Sequence, residues 1–237
     1  MTFELITEDT TWRGSIDLAG KIFQIGPNTT LTIASGAEVS GGSIEVHGSL
    51  VVAGDTTDRV TFNNVHIKPK PWSYDEAAQL INNWSLNNSD LVTVVNVTPP
   101  AIIDINYADI NGGTLLSNDG NFRFSTFSIT NSTVEAMNSS SLLWYPINES
   151  IISQNIFKNV AKFSIDTNSA VGTVLFENNL FYDTIGNANY PSVIGVMSSF
   201  GDAVQVINNS FMNTDRIALE IEQTQDAAIS ASGNWYG

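Results

Sequence analysis

Glu220 and Glu222 are the pair of carboxylates whose spacing best suits chemistry. They stand in the segment Ala-Leu-Glu-Ile-Glu, whose alternation predicts a strand with Leu219 and Ile221 inward and both carboxylates outward. Carboxylates two residues apart on a strand are roughly 7 Å apart. Such a pair suits glycoside hydrolysis or a calcium site, and a solvated outer face is the simpler interpretation. We expect calcium as a possible ligand and no required cofactor.

Other side chains with catalytic potential form no matching group. The histidines His47 and His66 lack further converging ligands, so neither predicts a metal site, and we expect His47 to point outward from a strand. Lys158 and Lys162 are expected in a turn or on an outer face. The chain has no cysteine, which excludes disulfides and thiolate metal sites.

Clustered aromatic residues indicate a second kind of chemistry. Trp72, Tyr74 and Trp84 lie within one irregular stretch, and Trp144 and Tyr145 stand in a predicted loop. Flat aromatic rings bind sugar rings by combining apolar area with a fixed orientation, although loop aromatics often pin a loop to the core. These five residues are the candidate carbohydrate contacts.

The composition narrows the class of protein. The chain has 237 residues, 42% of them hydrophobic, and a formal net charge of −15. This acidity argues against nucleic acid as a partner, because a nucleic-acid binder needs a cationic surface. No apolar run approaches the roughly 20 residues that span a bilayer, and the segment after Met1 lacks the pattern of an export signal.

A repeated pattern predicts the elements that position these side chains. Aromatic residues recur with an Asn two residues before them, and other apolar residues can occupy the same column. The predicted anchors of this column are Ile67, Ile110, Phe127, Phe157, Phe181, Phe211 and Tyr236. Repetition of one pattern along the chain is typical of solenoids, in which each coil stacks on its neighbours.

A second column supports the first. The residues five positions before the anchors are all apolar: Phe62, Ile105, Phe122, Ile152, Phe176, Val206 and Ala231. An odd separation cannot point both columns inward from one uniform strand, so a corner is needed between them. We place this corner at the Asn two residues before each anchor, since Asn tolerates the left-handed conformation. Stacked Asn side chains are also expected to bond along the solenoid.

These motifs resemble the right-handed parallel β-helix family, of the pectate-lyase-like, bacterial secreted type. The resemblance includes the short alternating segments at 30–36, 42–48, 49–54 and 59–62, which Gly turns separate, and the ending Ser-Ala-Ser-Gly-Asn-Trp-Tyr-Gly at 230–237. It implies an all-β right-handed solenoid and an extracellular or cell-surface location. Lyases of this family use a basic residue as general base beside calcium, and no basic residue here matches their motif. The Asp-Asp and Arg-x-Lys motifs of the polygalacturonase branch are also absent.

One stretch interrupts the rhythm. The interval between Ile67 and Ile110 is too long for one coil, and Ser73 with Glu76 forms a capping box that begins an amphipathic pattern. We predict one inserted helix at about 73–84. The expected organisation is a single β-helix domain, with N-terminal coils at 1–67, a helical insertion at 68–100 and regular coils at 101–237. The insertion packs on the wall as a cap or forms one side of a binding cleft.

Three functions remain open. The leading hypothesis is a non-catalytic extracellular module that binds carbohydrate or a cell-surface partner. The alternative is a carbohydrate-active enzyme, either a calcium-dependent polyuronate lyase or a glycoside hydrolase. A structural spacer or adhesin stalk is the third. The sequence indicates neither the ligand nor the oligomeric state.

Overall fold

The fold is described by a computed structural model. It describes residues 2–70, 101–116, 124–136, 142–146, 148–160, 162–166, 172–184, 192–198, 203–212, 214–221 and 229–237. Within these ranges the regular elements are strands, and every strand pairing is parallel. The prediction of an all-β parallel solenoid is therefore confirmed. The helix predicted at 73–84 lies outside the described residues.

The strands are short, as expected for coils that turn at left-handed corners. The first thirteen are β1 (Phe3–Ile6), β2 (Thr10–Trp12), β3 (Ser15–Asp17), β4 (Ile22–Ile25), β5 (Thr30–Ala34), β6 (Glu38–Val46), β7 (Ser49–Ala53), β8 (Val60–Pro69), β9 (Ala101–Asn106), β10 (Ala108–Asn111), β11 (Thr114–Leu115), β12 (Phe124–Thr130) and β13 (Thr133–Glu135). The others are β14 (Leu142–Pro146), β15 (Ser150–Ser153), β16 (Ile156–Lys158), β17 (Phe163–Asp166), β18 (Val174–Glu177), β19 (Leu180–Tyr182), β20 (Ser192–Ser198), β21 (Val204–Ile207), β22 (Ser210–Met212), β23 (Ile217–Ile221), β24 (Ile229–Ser232) and β25 (Trp235–Tyr236).

The strands form two long stacks. The first sheet runs in the order β1-β4-β6-β8-β10-β13-β16-β19-β22-β25, with β3 and β11 beside it. The second sheet runs β2-β5-β7-β9-β12-β14-β17-β20-β23, and β15, β18, β21 and β24 continue it from β12 along a second path. Neighbours in each stack belong to successive coils, so residues far apart in the sequence are brought into register.

The predicted anchor column is confirmed over the C-terminal coils. Phe157 pairs with Phe181, Phe181 with Phe211, and Phe211 with Tyr236. Their rings stack almost in parallel, with centroids 4.9 Å, 5.0 Å and 5.6 Å apart along this series. The three phenylalanines are fully buried, so this stack is the axis of the C-terminal core.

Two of the predicted anchors are wrong. The residue between Ile110 and Phe157 in this column is Val134, because Ile110 pairs with Val134 and Val134 with Phe157. Phe127 lies in the second sheet, where it pairs with Ile103.

The second wrong anchor is Ile67, on the N-terminal side of the column. Phe62 pairs with Ile110 and is itself the anchor of its coil, whereas Ile67 pairs with Leu115 farther along β8. Phe62 therefore does not belong to the column five residues before the anchors. Of the remaining members of that column, Ile105, Ile152, Phe176, Val206 and Ala231 lie in the second sheet as predicted, and Phe122 lies outside the described residues.

A ladder of buried amides lies two residues before the anchors. Asn155, Asn179 and Asn209 are at most 2% exposed. The Oδ1 of Asn179 accepts hydrogen bonds from the backbone N–H and from Nδ2 of Asn155, each at 3.0 Å. The Nδ2 of Asn179 donates to Oδ1 of Asn209 at 2.9 Å and to the carbonyl of Ile152 at 2.8 Å. The predicted bonding between stacked Asn residues is thus confirmed.

The ladder continues beyond these three residues in both directions. Asn234 accepts from the backbone of Asn209 at 2.9 Å. At the other end Ser132 takes the place of an Asn, donating its backbone N–H to Asn155 and accepting from the N–H of Ala108 at 3.0 Å. A serine hydroxyl can therefore occupy this column, which explains why the pattern of Asn does not mark the coil of Val134.

The left-handed corner lies one residue earlier than predicted. Gln154, Asn178 and Asn208, each three residues before an anchor, have φ values of 59°, 56° and 55°. The Asn that follows each of them has an ordinary conformation and turns its amide into the ladder. A second corner follows the short strands β16 and β19, with φ of 48° at Asn159 and 50° at Asp183.

We predict that Asn179→Ala lowers the free energy of unfolding by about 3 kcal/mol, because it leaves the buried Asn155 N–H and the Ile152 carbonyl without partners. The matched control is Asn111→Ala, since Asn111 is exposed and bonds only weakly, at 3.4 Å, to Asn63. The control should change stability by less than about 0.5 kcal/mol. Urea unfolding followed by circular dichroism measures both, and equal losses would contradict a stabilising ladder.

Candidate functional site

The outward face of the first sheet changes character along the solenoid. The residues on either side of each anchor point away from the core, because side chains alternate along a strand. From β16 to β25 these outward positions are mostly apolar or aromatic. We call Ile156, Leu180, Tyr182, Met212 and Trp235 the outer platform.

The platform side chains are accessible. Ile156 is 41% exposed, Met212 37% and Trp235 52%, while Leu180 and Tyr182 are half-buried. The indole of Trp235 lies beside the backbone of Gly237, where an added Cβ would collide with it. Large apolar side chains on a regular strand face, rather than in a loop, present a flat surface that the sheet holds in place.

A charged pair borders the platform. Nζ of Lys158 lies 2.6 Å from Oε1 of Glu135 and 5.8 Å from the centre of the Tyr182 ring. The bond to Glu135 and its charge raise the pKa of Lys158. The ammonium group is therefore held by a carboxylate and packs over an aromatic ring, and it helps to fix the orientation of Tyr182.

The same face is polar in the preceding coils. Thr133 and Asp109 continue the outward column of Ile156, and Asn111 and Asn63 continue the column of Glu135. Arg59 clamps these coils together: its Nε donates to Oδ1 of Asp109, and its two Nη atoms donate to the carbonyls of Ala108 and Asn131, all at 2.9 Å.

A second cluster lies on the second sheet. Lys162 is only 5% exposed, and its Nζ lies 3.6 Å from Oε2 of Glu220. This separation is an ion-pair distance and too long for a hydrogen bond. The expectation that Lys162 decorates a turn or outer face is wrong, because the side chain is buried against neighbouring coils. Lys158 is partly exposed, as expected.

Arg216 lies in the same region and is 8% exposed. Its guanidinium donates to the carbonyl of Val160 at 3.1 Å and to the carbonyl of Ser192, which ties three coils together. Burial lowers the pKa of Arg216. Its Nε and the Ser192 hydroxyl are buried without a hydrogen-bond partner among the described residues. The cluster thus combines two buried cations with the carboxylate of Glu220, and the Nε of Arg216 and the hydroxyl of Ser192 are among its unsatisfied atoms within the described residues.

The predicted acidic pair is described only in part. Glu220 lies on β23 and faces Lys162, while Glu222 lies outside the described residues. The register pairs Leu219 with Ile194 and Ile221 with Val196, and both partners are buried. Leu219 packs against the core as predicted, whereas Ile221 is 49% exposed, so the predicted burial is not found there. Within the described ranges, no three His, Cys, Asp or Glu side chains are grouped so that they could hold a metal ion.

The predicted aromatic contacts fall in two places. Trp72, Tyr74 and Trp84 lie outside the described residues. Trp144 and Tyr145 belong to strand β14, which pairs with β12 and β17, so the predicted loop is wrong. Aromatic residues favour strands, and Pro146 is tolerated because it ends this one.

A third group lies where the chain leaves β8. Nζ of Lys70 and Nε2 of Gln24 donate to Oε2 of Glu45 at 3.2 Å and 2.8 Å. His47, expected to point outward, is instead only 3% exposed. Burial, with the nearby charge of Lys70, lowers the pKa of His47 from 6.5 to about 3. The imidazole is therefore neutral in the folded protein at neutral pH.

Sequence reasoning missed Tyr182, Met212 and Trp235 as surface residues. The signal was present, because each stands next to a confirmed anchor and must point to the opposite side of its strand. By contrast, no local signal pairs Lys162 with Glu220, since their contact depends on the lengths of two intervening coils.

The burial of His47 predicts a pH dependence of stability. Since its folded-state pKa is below the unfolded value, the unfolded chain binds the proton more strongly, and stability falls as the pH drops from 6.5 towards 3. We expect roughly 2 kcal/mol of this loss between pH 6.5 and 5. The variant His47→Gln should lack that part of the slope when both proteins are unfolded in urea across this range. Identical slopes would contradict a buried neutral imidazole.

Comparison of the chain with models of known protein families, with curated proteins and with solved structures finds no match in any of the three. Nor does the described part of the chain contain a helix with the length and apolar character needed to cross a membrane.

Proposed function

We propose that this chain is a non-catalytic, extracellular β-helix module that binds carbohydrate through the outer platform. The proposal keeps the finer type indicated by the sequence, a right-handed solenoid similar to the bacterial secreted, pectate-lyase-like proteins. That resemblance also supports a location outside the cell or at its surface. The ligand would then be a glycan of a cell surface or of its surroundings.

The observation that carries this proposal is the group of outward side chains on the strands of the first sheet, in which Met212 and Trp235 are exposed and Tyr182 is half-buried. They point away from the anchor stack behind them. Aromatic rings that stay exposed on a rigid sheet are suited to stacking against the apolar faces of sugar rings. The polar groups beside them, such as Lys158 and Ser210, are suited to bind hydroxyl groups.

Rigidity also favours this function. Each platform residue is adjacent to an anchor in the stack of phenylalanines and close to the buried ladder. The aromatic side chains therefore start from a preorganised backbone, and binding requires little ordering of the protein.

We expect Tyr182→Ala and Trp235→Ala each to lower the affinity for a bound glycan about 3- to 10-fold, because each removes one stacking surface. The matched control is Phe3→Ala, which removes an aromatic ring that is 53% exposed at the far end of the same sheet. Affinity gel electrophoresis with a panel of soluble polysaccharides measures the change. Glycan binding that survives both platform substitutions would contradict the proposed site.

A second candidate function is a polyuronate lyase, favoured by the buried Lys162 beside Glu220 on the second sheet. Its reaction would need a basic group close to the proton that is removed, and Lys162 with Arg216 supplies cations in one region. The outer platform has no role in this alternative.

The two functions predict different results with polygalacturonate and alginate, incubated with and without calcium. A non-catalytic module gives no unsaturated products. Products that form with the native chain and vanish in Lys162→Met, with thermal unfolding of the variant unchanged, would overturn the leading proposal. Glu220→Gln is the second variant, in case Lys162→Met fails to fold. If the chain forms no unsaturated products and binds none of the glycans, a structural spacer would be favoured.

A further inference from the structure

We infer that the glycan held by the outer platform is a linear, uncharged polysaccharide that lies along the axis of the solenoid, across the coils. This inference rests on the proposed function and adds the class of ligand and its direction.

The shape of the platform sets the direction. The strands β16, β19 and β22 have three residues each, and β16 and β19 end at the left-handed corners Asn159 and Asp183. Along a strand the outward face is therefore two residues wide, or about 7 Å. Across the strands it continues from Ile156 to Trp235 over three strand spacings, about 14 Å. An extended polymer gains contacts only by running across the strands.

The preceding coils extend the same track with hydrogen-bonding groups. Beyond Ile156 the outward columns continue through Thr133 and Asp109, and through Glu135, Asn111 and Asn63. Asn111 is exposed and lies about 24 Å from the strand of Trp235, five strand spacings away. Amide and hydroxyl side chains suit the hydroxyl groups of a sugar chain that extends past the aromatic part.

The charges of this face select an uncharged ligand. Its two cations are engaged, Arg59 by Asp109 at 2.9 Å and Lys158 by Glu135 at 2.6 Å. The carboxylates of Glu38 and Asp183 add negative charge along the same coils, in a chain whose net charge is −15. A polyuronate or a sulfated glycan would meet repulsion here, with no described cation of the face outside an ion pair to compensate it.

The first test compares polymers. Affinity electrophoresis of the full chain uses soluble β-glucan, arabinoxylan and galactomannan as neutral probes, and polygalacturonate and alginate as acidic probes. We expect retardation by at least one neutral polymer, a weaker retardation in Trp235→Ala that corresponds to a loss of affinity of about 3- to 10-fold, and little change with added salt. Binding of acidic polymers alone, weakened by Trp235→Ala, would overturn the inference and leave the proposed function intact. No binding to any polymer would overturn both.

The second test concerns direction. For the neutral polymer that binds, calorimetry with its disaccharide and its octasaccharide compares the native chain with Asn111→Ala. An axial ligand predicts a loss of about 3-fold for the octasaccharide and none for the disaccharide, because only the longer chain reaches Asn111. Asn148→Ala is the matched control, because Asn148 is likewise exposed but lies just before β15 and bonds to Thr126 of the second sheet. Equal effects on both lengths, or none on the octasaccharide while Trp235→Ala weakens its binding, would overturn the axial direction.

Discussion

The stacking of coils depends on keeping buried backbone groups bonded at the corner before each anchor. The ladder of Asn155, Asn179 and Asn209 does this, because each amide accepts from the coil before it and donates to the coil after it. An apolar residue in this column would leave buried N–H and C=O groups without partners. The coils from Ser132 to Asn234 are consequently held in register with their neighbours, and the phenylalanine stack follows from that register.

Because the inward columns stabilise the fold, the outward positions of the strands are available for function. In a solenoid each coil contacts mainly its neighbours, so stability comes from repeated inward columns. The outward residues beside the anchors are under no such constraint, yet Tyr182, Met212 and Trp235 are large, Met212 and Trp235 are exposed and Tyr182 is half-buried. On the same face the earlier coils carry polar residues, so the apolar part is local. A local patch on a rigid support is the arrangement expected of a binding surface.

The fold was predictable from sequence, because apolar columns and repeated Asn residues report directly on stacking. The register was most predictable where the Asn and the aromatic residue occur together, as at Phe181 and Phe211. It failed at Val134, where Ser132 replaces Asn and no aromatic marks the column. The site was less predictable, since the contact of Lys162 with Glu220 depends on the path of whole coils. The outer platform followed from alternation once the anchors were known.

The most direct measurement is hydroxyl-radical footprinting of the intact chain with and without the bound neutral polysaccharide. Methionine and aromatic side chains are readily oxidised, and Met212, Tyr182 and Trp235 report on the platform. The account predicts that the glycan protects these three residues while Phe3, at the other end of the same sheet, is oxidised as before. Protection confined to the second sheet, with the platform oxidised equally in both samples, would contradict it.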